Sequence, residues 1–276
     1  MMMVQAASQL NSLSNTVRRT NLFGPSVIRK HYSRRGRRNG YRLPLGRVLV
    51  ETLLLDWLSK LIVAEREYLV IPRLIRLDGD QSALWMTDLG GVPLDQCLAA
   101  ALPAPENFAA MGRVCARLEQ SSGDIMLDVP RDTWTAQDGI RRDVIDRRIR
   151  NVTSEQTHLL AEFAEALSSP SVICLGDLCF ANLLSCDGRL GMVDFEFAHV
   201  GHPGRDVGRV VAQLNVEAAR DSVASSTFMQ CSRSLLTGFA DCGGSIDYAH
   251  KWAAILACYY SDPNRGGAVV ALQGRS

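Results

Sequence analysis

Two kinds of apolar pattern divide this chain. Near the N-terminus the apolar residues come in short, β-rich runs. Residues 16–21 and 27–32 predict two strands separated by the turn residues Gly24 and Pro25. Ile71 to Leu77 and the run beginning at Ser82 flank the turn Asp78-Gly79-Asp80 and predict two more. Between these pairs, Leu45 to Leu61 reads as a helix. Val48, Leu49, Leu53, Leu55, Trp57 and Leu58 make it too apolar to be exposed, so it should pack on the small sheet. Downstream the period lengthens. Leu94 to Ala101 predicts a short helix that stops at Pro103. Pro105 to Gln120 predicts a longer one, with Phe108, Met111, Val114, Cys115 and Leu118 on one stripe. Residues 124–150 mix Trp134 with many acids and arginines and have no clean period. A helix from Ser154 carries Leu159, Leu160, Phe163, Ala164 and Leu167 and ends at Ser168-Ser169-Pro170. Three short strands follow: Ser171 to Cys174, Asn182 to Leu184 and Leu190 to Val193. The last two form a hairpin over Cys186-Asp187-Gly188-Arg189. Helices then resume, one opened by Asp206 and two within residues 222–260.

Composition narrows the class. The 276 residues suffice for one large domain or two modest lobes. No secretory signal and no apolar run of membrane-spanning length is visible, and the eight cysteines contain no Cys-x-x-Cys pair. A cytoplasmic protein with reduced thiols is expected, without a zinc site. The formal charge of +1 is unevenly placed. Residues 1–50 hold ten Lys or Arg and no acid, which leaves 20 basic against 29 acidic residues in the remainder, a net of −9. The cluster Arg34, Arg35, Arg37 and Arg38 admits a nucleic-acid reading. A solvated basic loop, or a contribution to nucleotide binding, is the reading preferred.

The chemistry concentrates around the predicted hairpin. Asp177 precedes the first of its strands, Asn182 stands five residues later at that strand's start, and Asp194 follows the second strand. Polar residues at strand ends can be aimed into a cleft by a rigid scaffold. Phosphoryl transfer needs such a set: a carboxylate to accept a hydroxyl proton, and hard oxygen ligands for Mg²⁺ on the nucleotide phosphates. Asp177 suits the first task, Asn182 and Asp194 the second. Singly, Asp and Asn at strand ends are ordinary turn residues; the joint spacing is what separates this set from that background.

Gly176-Asp177-Leu178, Asn182-Leu183-Leu184 and Val193-Asp194-Phe195-Glu196 resemble the catalytic and metal-binding loops of the aminoglycoside phosphotransferase and choline kinase family, which has a protein-kinase-like fold. The resemblance implies an α+β, two-lobed molecule. Residues 1–88 would form a nucleotide-binding lobe with a small antiparallel sheet, and residues 89–276 a mainly helical catalytic and substrate lobe. It also implies ATP and Mg²⁺ as cofactors. Lys30, on the strand face shared with Ile28, would meet the nucleotide phosphates, with the neighbouring Arg29 as the competing cation. Glu51 would pair with Lys30 and orient it, with Asp56 as its rival. Met86 would line the base pocket, and Thr87 and Leu89 would offer main-chain hydrogen bonds to adenine. Ser12 and Ser14 would lie at the hairpin tip over the phosphates. Asp206 would brace the catalytic loop; favourable placement in the first turn of a helix is the plainer account of an acid there. Two departures stand out: Leu175 occupies the place where the family usually has His, and the tip lacks the usual glycines.

The function expected is therefore ATP-dependent phosphorylation of a hydroxyl on a small molecule. The acidic balance of residues 51–276 favours a cationic acceptor. A catalytically impaired nucleotide- or partner-binding module is the alternative on the same fold. A nucleic-acid-binding protein using the basic N-terminal face is the alternative from another class. A protein kinase is disfavoured, because only a short loop separates Asp194 from Asp206.

Overall fold

The computed structural model describes residues 8–10, 15–21, 26–32, 46–78, 83–97, 101–129, 133–134 and 171–261. The first strands, β1 (Ser8–Leu10), β2 (Asn15–Asn21) and β3 (Ser26–Tyr32), pair antiparallel in sequence order. β5 (Leu74–Leu77) and β6 (Ala83–Thr87) complete a five-stranded sheet in the order β1-β2-β3-β6-β5. In this register Lys30 lies opposite Leu84, and Ile28 opposite Met86.

Helix α1 (Arg47–Leu61) connects this sheet to the rest of the molecule. The expectation that it packs on the small sheet holds near its N-terminus, where Val48 joins Tyr32, Leu84 and Met86 in a small cluster and Glu51 bonds Lys30 and Tyr32 of β3. Val50, Leu54, Leu55 and Leu58 belong instead to the main core, which is continuous with Phe108, Leu178, Phe195 and Val210. A 15-residue helix makes four turns, long enough for its two ends to serve different cores.

Behind α1 the chain pairs directly with the predicted hairpin. β4 (Leu69–Val70) runs parallel to β10 (Arg189–Met192), and β7 (Val92–Pro93) runs antiparallel to β9 (Leu183–Cys186). The resulting order, β4-β10-β9-β7, holds the hairpin between two strands from earlier in the chain. Its two-residue turn puts Asp187 at φ 47° and Gly188 at φ 80°. Positive φ at both turn residues matches the right-handed twist of the strands. β8 (Val172–Cys174) and β11 (His199–Gly201) form a separate antiparallel pair just before and just after these segments.

The remaining elements are helical: α2 (Pro105–Gln120), α3 (Ser122–Leu127), α4 (Arg205–Arg220), α5 (Ser225–Asp241) and α6 (Ile246–Ser261). The predicted stripe of α2 is buried along its length. Glu65, in the 3₁₀ turn after α1, receives both Arg113 nitrogens of α2 at 2.9 and 2.6 Å, with Arg117 at 3.2 Å. These bonds hold the Glu65 carboxyl below its usual range.

Three sequence expectations need correction. The described start of the helix expected over Leu94 to Ala101 is not α-helical: a 3₁₀ turn, Leu94–Gln96, ends where Cys97 becomes extended, and residues 98–100 lie outside the described residues. Asn182 closes a 3₁₀ turn, Phe180–Asn182, and the strand begins one residue later. Ile71 lies outside β5, which starts at Leu74. The helix expected from Ser154, the cluster Arg34 to Arg38 and most of residues 124–150 lie outside the described residues.

Helices α2 and α5 approach unusually closely. A Cβ on Gly238 would come 2.0 Å from the Ala109 carbonyl oxygen, and one on Gly112 would come 2.2 Å from that of Leu235. Two backbones in contact cannot yield as a side chain would. Gly238→Ala is therefore expected to lower stability by about 1–3 kcal/mol in denaturant unfolding. Gly123→Ala, where a Cβ meets nothing within 4 Å, should change it by under about 0.5 kcal/mol.

Candidate active site

The polar centre is built on Lys30. β3 presents its side chain inward, 5% exposed. The ammonium donates to Glu51 Oε2 at 2.7 Å and to Asp194 Oδ1, and lies 3.9 Å from Glu196 Oε2. Burial alone would lower the Lys30 pKa, but the carboxylates of Asp194, Glu196 and Glu51 overcome it and raise it. Arg29, the competing cation, is engaged elsewhere: it pairs with Asp78 at 3.0 Å and lies over the Trp85 ring. Asp56, the rival to Glu51, pairs on the surface with Lys60 at 2.7 Å.

Glu51 does more than meet Lys30. Its Oε2 also accepts from the Tyr32 hydroxyl, and its Oε1 accepts the Phe195 N–H at 3.2 Å. It thus joins α1 both to β3 and to the segment after β10. Arg47, one turn earlier on α1, donates to Glu196 at 2.8 Å, both side chains being fully buried. Both cations also lie over the Tyr32 ring, Lys30 at 5.1 Å and Arg47 at 5.4 Å from its centre. Sequence reasoning missed Arg47 and Tyr32. The signal available was that Tyr32 shares a strand face with Lys30, and Arg47 a helix face with Glu51.

Glu51, Asp194 and Glu196 offer carboxylate oxygens within 4.8 Å of one another. Burial, with repulsion from Glu196 and Glu51, outweighs the attraction of Lys30 and pushes Asp194 up to about 7. This surplus of carboxylate charge is what a divalent cation would neutralise. Asp194 itself has φ 68°, and its side chain keeps 29% exposure.

The loop between β8 and β9 carries the other candidates. The Asn182 amide nitrogen donates to the Asp177 carbonyl at 2.9 Å and to its Oδ2 at 3.2 Å, which directs the amide oxygen the other way. The Val193 N–H donates to the Asn182 carbonyl at 3.1 Å, so Asn182 is tied to the residue before Asp194. Asn182 and Asp194 present the oxygen donors that Mg²⁺ takes.

Asp206, in the first turn of α4, accepts the N–H of Leu175 on Oδ2 and that of Gly176 on Oδ1 at 3.2 Å. Gly176 has φ 83°, and a Cβ there would meet the Phe197 carbonyl oxygen at 2.0 Å, so only glycine suits. Leu175 is itself buried in the main core. Arg209, another residue missed in the sequence, donates to Asp177 Oδ1 at 2.7 Å.

Near the end of β6, Met86 is buried. The Thr87 N–H donates to the Arg73 carbonyl at 2.9 Å, so of its main-chain groups the N–H is already engaged within the sheet. Asp88 ties this segment to β2 and β3 through Arg19 and Ser26, and accepts the Gly90 N–H at 3.0 Å. Leu89 lies half-buried between them. Ser12 and Ser14 lie outside the described residues. The seven cysteines whose side chains are described are free, and among the described residues no helix is long and apolar enough to cross a membrane.

Several solved structures share this fold. No curated protein matches the chain. The GDP and kanamycin complex of the aminoglycoside phosphotransferase APH(2'')-IIIa superposes with a TM-score of 0.55 at 14% identity, covering 98% of this chain and 92% of the other. An aminoglycoside phosphotransferase from Alicyclobacillus acidocaldarius gives 0.54 at 12%, covering 99% and 89%. APH(3'')-Id from Streptomyces rimosus, with ADP and streptomycin, gives 0.51 at 17%, covering 92% of each chain. These likenesses establish the two-lobed protein-kinase-like fold. The profile of the phosphotransferase enzyme family matches residues 40–228, more than half of the chain, and this protein belongs to that family.

Proposed function

We propose that this protein transfers the γ-phosphoryl group of ATP to a hydroxyl of a small molecule. The observation that carries the reading is the joining of the two halves of the site. The Lys30–Glu51–Asp194 cluster and the Asp177–Asn182 loop meet across one hairpin, through the Val193–Asn182 backbone bond.

Lys30 would meet the nucleotide phosphates, aligned by Glu51, with Met86, Thr87 and Leu89 bordering the base. Asn182 and Asp194 would hold Mg²⁺, which when bound neutralises charge on the phosphates. The acceptor oxygen attacks the γ-phosphorus. The bond to the β-phosphate bridging oxygen breaks with its electron pair leaving on ADP, and the hydroxyl proton passes to Asp177. The protein's work is positioning and charge stabilisation. Leu175 is compatible with this role. The loop is held through the N–H groups of residues 175 and 176 on Asp206, which a leucine supplies as well as a histidine does.

The excess of acids over bases in residues 51–276 supports a cationic acceptor, and two of the fold's solved relatives were crystallised with kanamycin and streptomycin. Residues 1–88 would then be the nucleotide lobe and residues 89–276 the lobe that receives the acceptor. Action in the cytoplasm, without a membrane or nucleic-acid partner, accords with this chemistry.

Two measurements test the proposal. Mg·ATP at about 100 times its dissociation constant should stabilise the fold by about 2.7 kcal/mol, read as a rise in Tm. The rise should need Mg²⁺ and vanish in Asp194→Ala; no rise at millimolar Mg·ATP in the native protein would refute the nucleotide site. Asp177→Asn should keep the rise while phosphate release from Mg·ATP falls about 10²–10⁴-fold. Unchanged turnover in that variant would remove Asp177 from the role of base.

A further inference from the structure

One buried cation has no place in the scheme above. Arg209 lies one turn beyond Asp206 on α4 and is 5% exposed. Its Nη1 donates to Asp177 Oδ1 at 2.7 Å and to the Gly176 carbonyl at 3.2 Å. Its Nε donates to the hydroxyl of Tyr260, on α6, at 2.8 Å. Arg205, one turn earlier, also reaches the Gly176 carbonyl, at 3.4 Å.

Stability does not account for this arrangement. A buried Arg–carboxylate pair is commonly no more stable than the apolar residues that could replace it. Nor is this pair sealed: the Asp177 side chain keeps 26% exposure while that of Arg209 keeps 7%. The carboxylate is thus gripped from the protein side while part of it reaches solvent. The grip is two-sided as well. Oδ1 takes Arg209 and Oδ2 takes the Asn182 amide at 3.2 Å, which fixes the carboxylate plane. Each oxygen has two lone pairs, so a hydroxyl can still be met. An Arg fork is rigid and directional where an ammonium is a point charge.

We propose that Arg209 is a positioning residue for phosphoryl transfer: it aims the Asp177 carboxylate at the acceptor hydroxyl, and Tyr260 fixes Arg209 in turn. The inference rests on Asp177 being the proton acceptor. Arg209 exchanges no proton. The acceptor O–H gives its proton to Asp177 as its oxygen bonds to the γ-phosphorus and ADP departs with the electrons of the broken P–O bond. The last described helix is thereby coupled to the catalytic loop, since Tyr260 stands near the end of α6.

The test uses the full chain and Mg·ATP with water as acceptor, so no substrate need be known. Phosphate release and nucleotide affinity are measured for the native protein, Arg209→Met, Arg209→Lys and Tyr260→Phe. Arg209→Met should lower kcat about 10²-fold, the cost of a misplaced reacting group, with KM and the Mg·ATP thermal shift little changed. Arg209→Lys should recover part of the loss, and Tyr260→Phe should show a smaller loss, also in kcat. A kcat unchanged in Arg209→Met, a loss confined to KM, or a Lys variant no better than Met would each overturn the inference. If Arg209→Met fails to fold, the two milder variants decide it, and unchanged kcat in both overturns it. A native protein that binds Mg·ATP but releases no phosphate refutes the transfer reading and this inference together. Turnover in the native protein that persists in Arg209→Met refutes the inference alone.

Discussion

The structure turns on the desolvation of one ammonium group. Lys30 has left water almost completely, a cost of several kcal/mol that only close opposite charge can offset. The protein supplies that charge from separate places: Glu51 on α1, and Asp194 and Glu196 after β10. Each is far from Lys30 in sequence, so the electrostatic requirement is also a folding constraint. β3, α1 and the end of the hairpin must converge before the charge is satisfied. Arg47 answers the surplus by taking Glu196, and both cations lie over the Tyr32 ring. What remains is excess carboxylate at Asp194, the one member with substantial exposure. The cluster is thus complete on its protein side and electrostatically unfinished on its open side.

The loop carrying Asp177 and Asn182 is controlled differently, by backbone geometry. Gly176 takes a left-handed conformation under the Phe197 carbonyl, and Asp206 collects the two N–H groups beside it. These contacts fix main chain, and the side chains of Asp177 and Asn182 are then locked against each other. Leu175 is free to serve the core because its N–H, and not its side chain, carries the bracing. The two systems meet where the Val193 N–H reaches the Asn182 carbonyl.

How much of this was legible in the sequence differs element by element. The stripe Phe108, Met111, Val114, Cys115 and Leu118 gives α2 at its observed ends, because a helical period sustained over four turns has one solution. Asp187-Gly188 gives the hairpin, because two positive φ values select those residues. The start of the run from Leu94 misleads, because a short apolar run has no period long enough to separate an α-helix from a 3₁₀ turn that ends at an extended residue. α1 misleads about its partner, because apolar content shows that a helix is buried without showing against what.

Most local elements and the chemical set can be read along the chain: Lys30, Glu51, Asp177, Asn182, Asp194 and Asp206 stand out by residue type, spacing and family resemblance. Which of them meet is fixed only in three dimensions. Arg47 with Glu196, Tyr32 with Glu51, Arg209 with Asp177 and β4 with β10 join residues from 19 to 149 positions apart. The reason is physical: local propensity acts over a few residues, whereas a buried charge selects its partner by distance in space, which the chain path sets only once the core has closed.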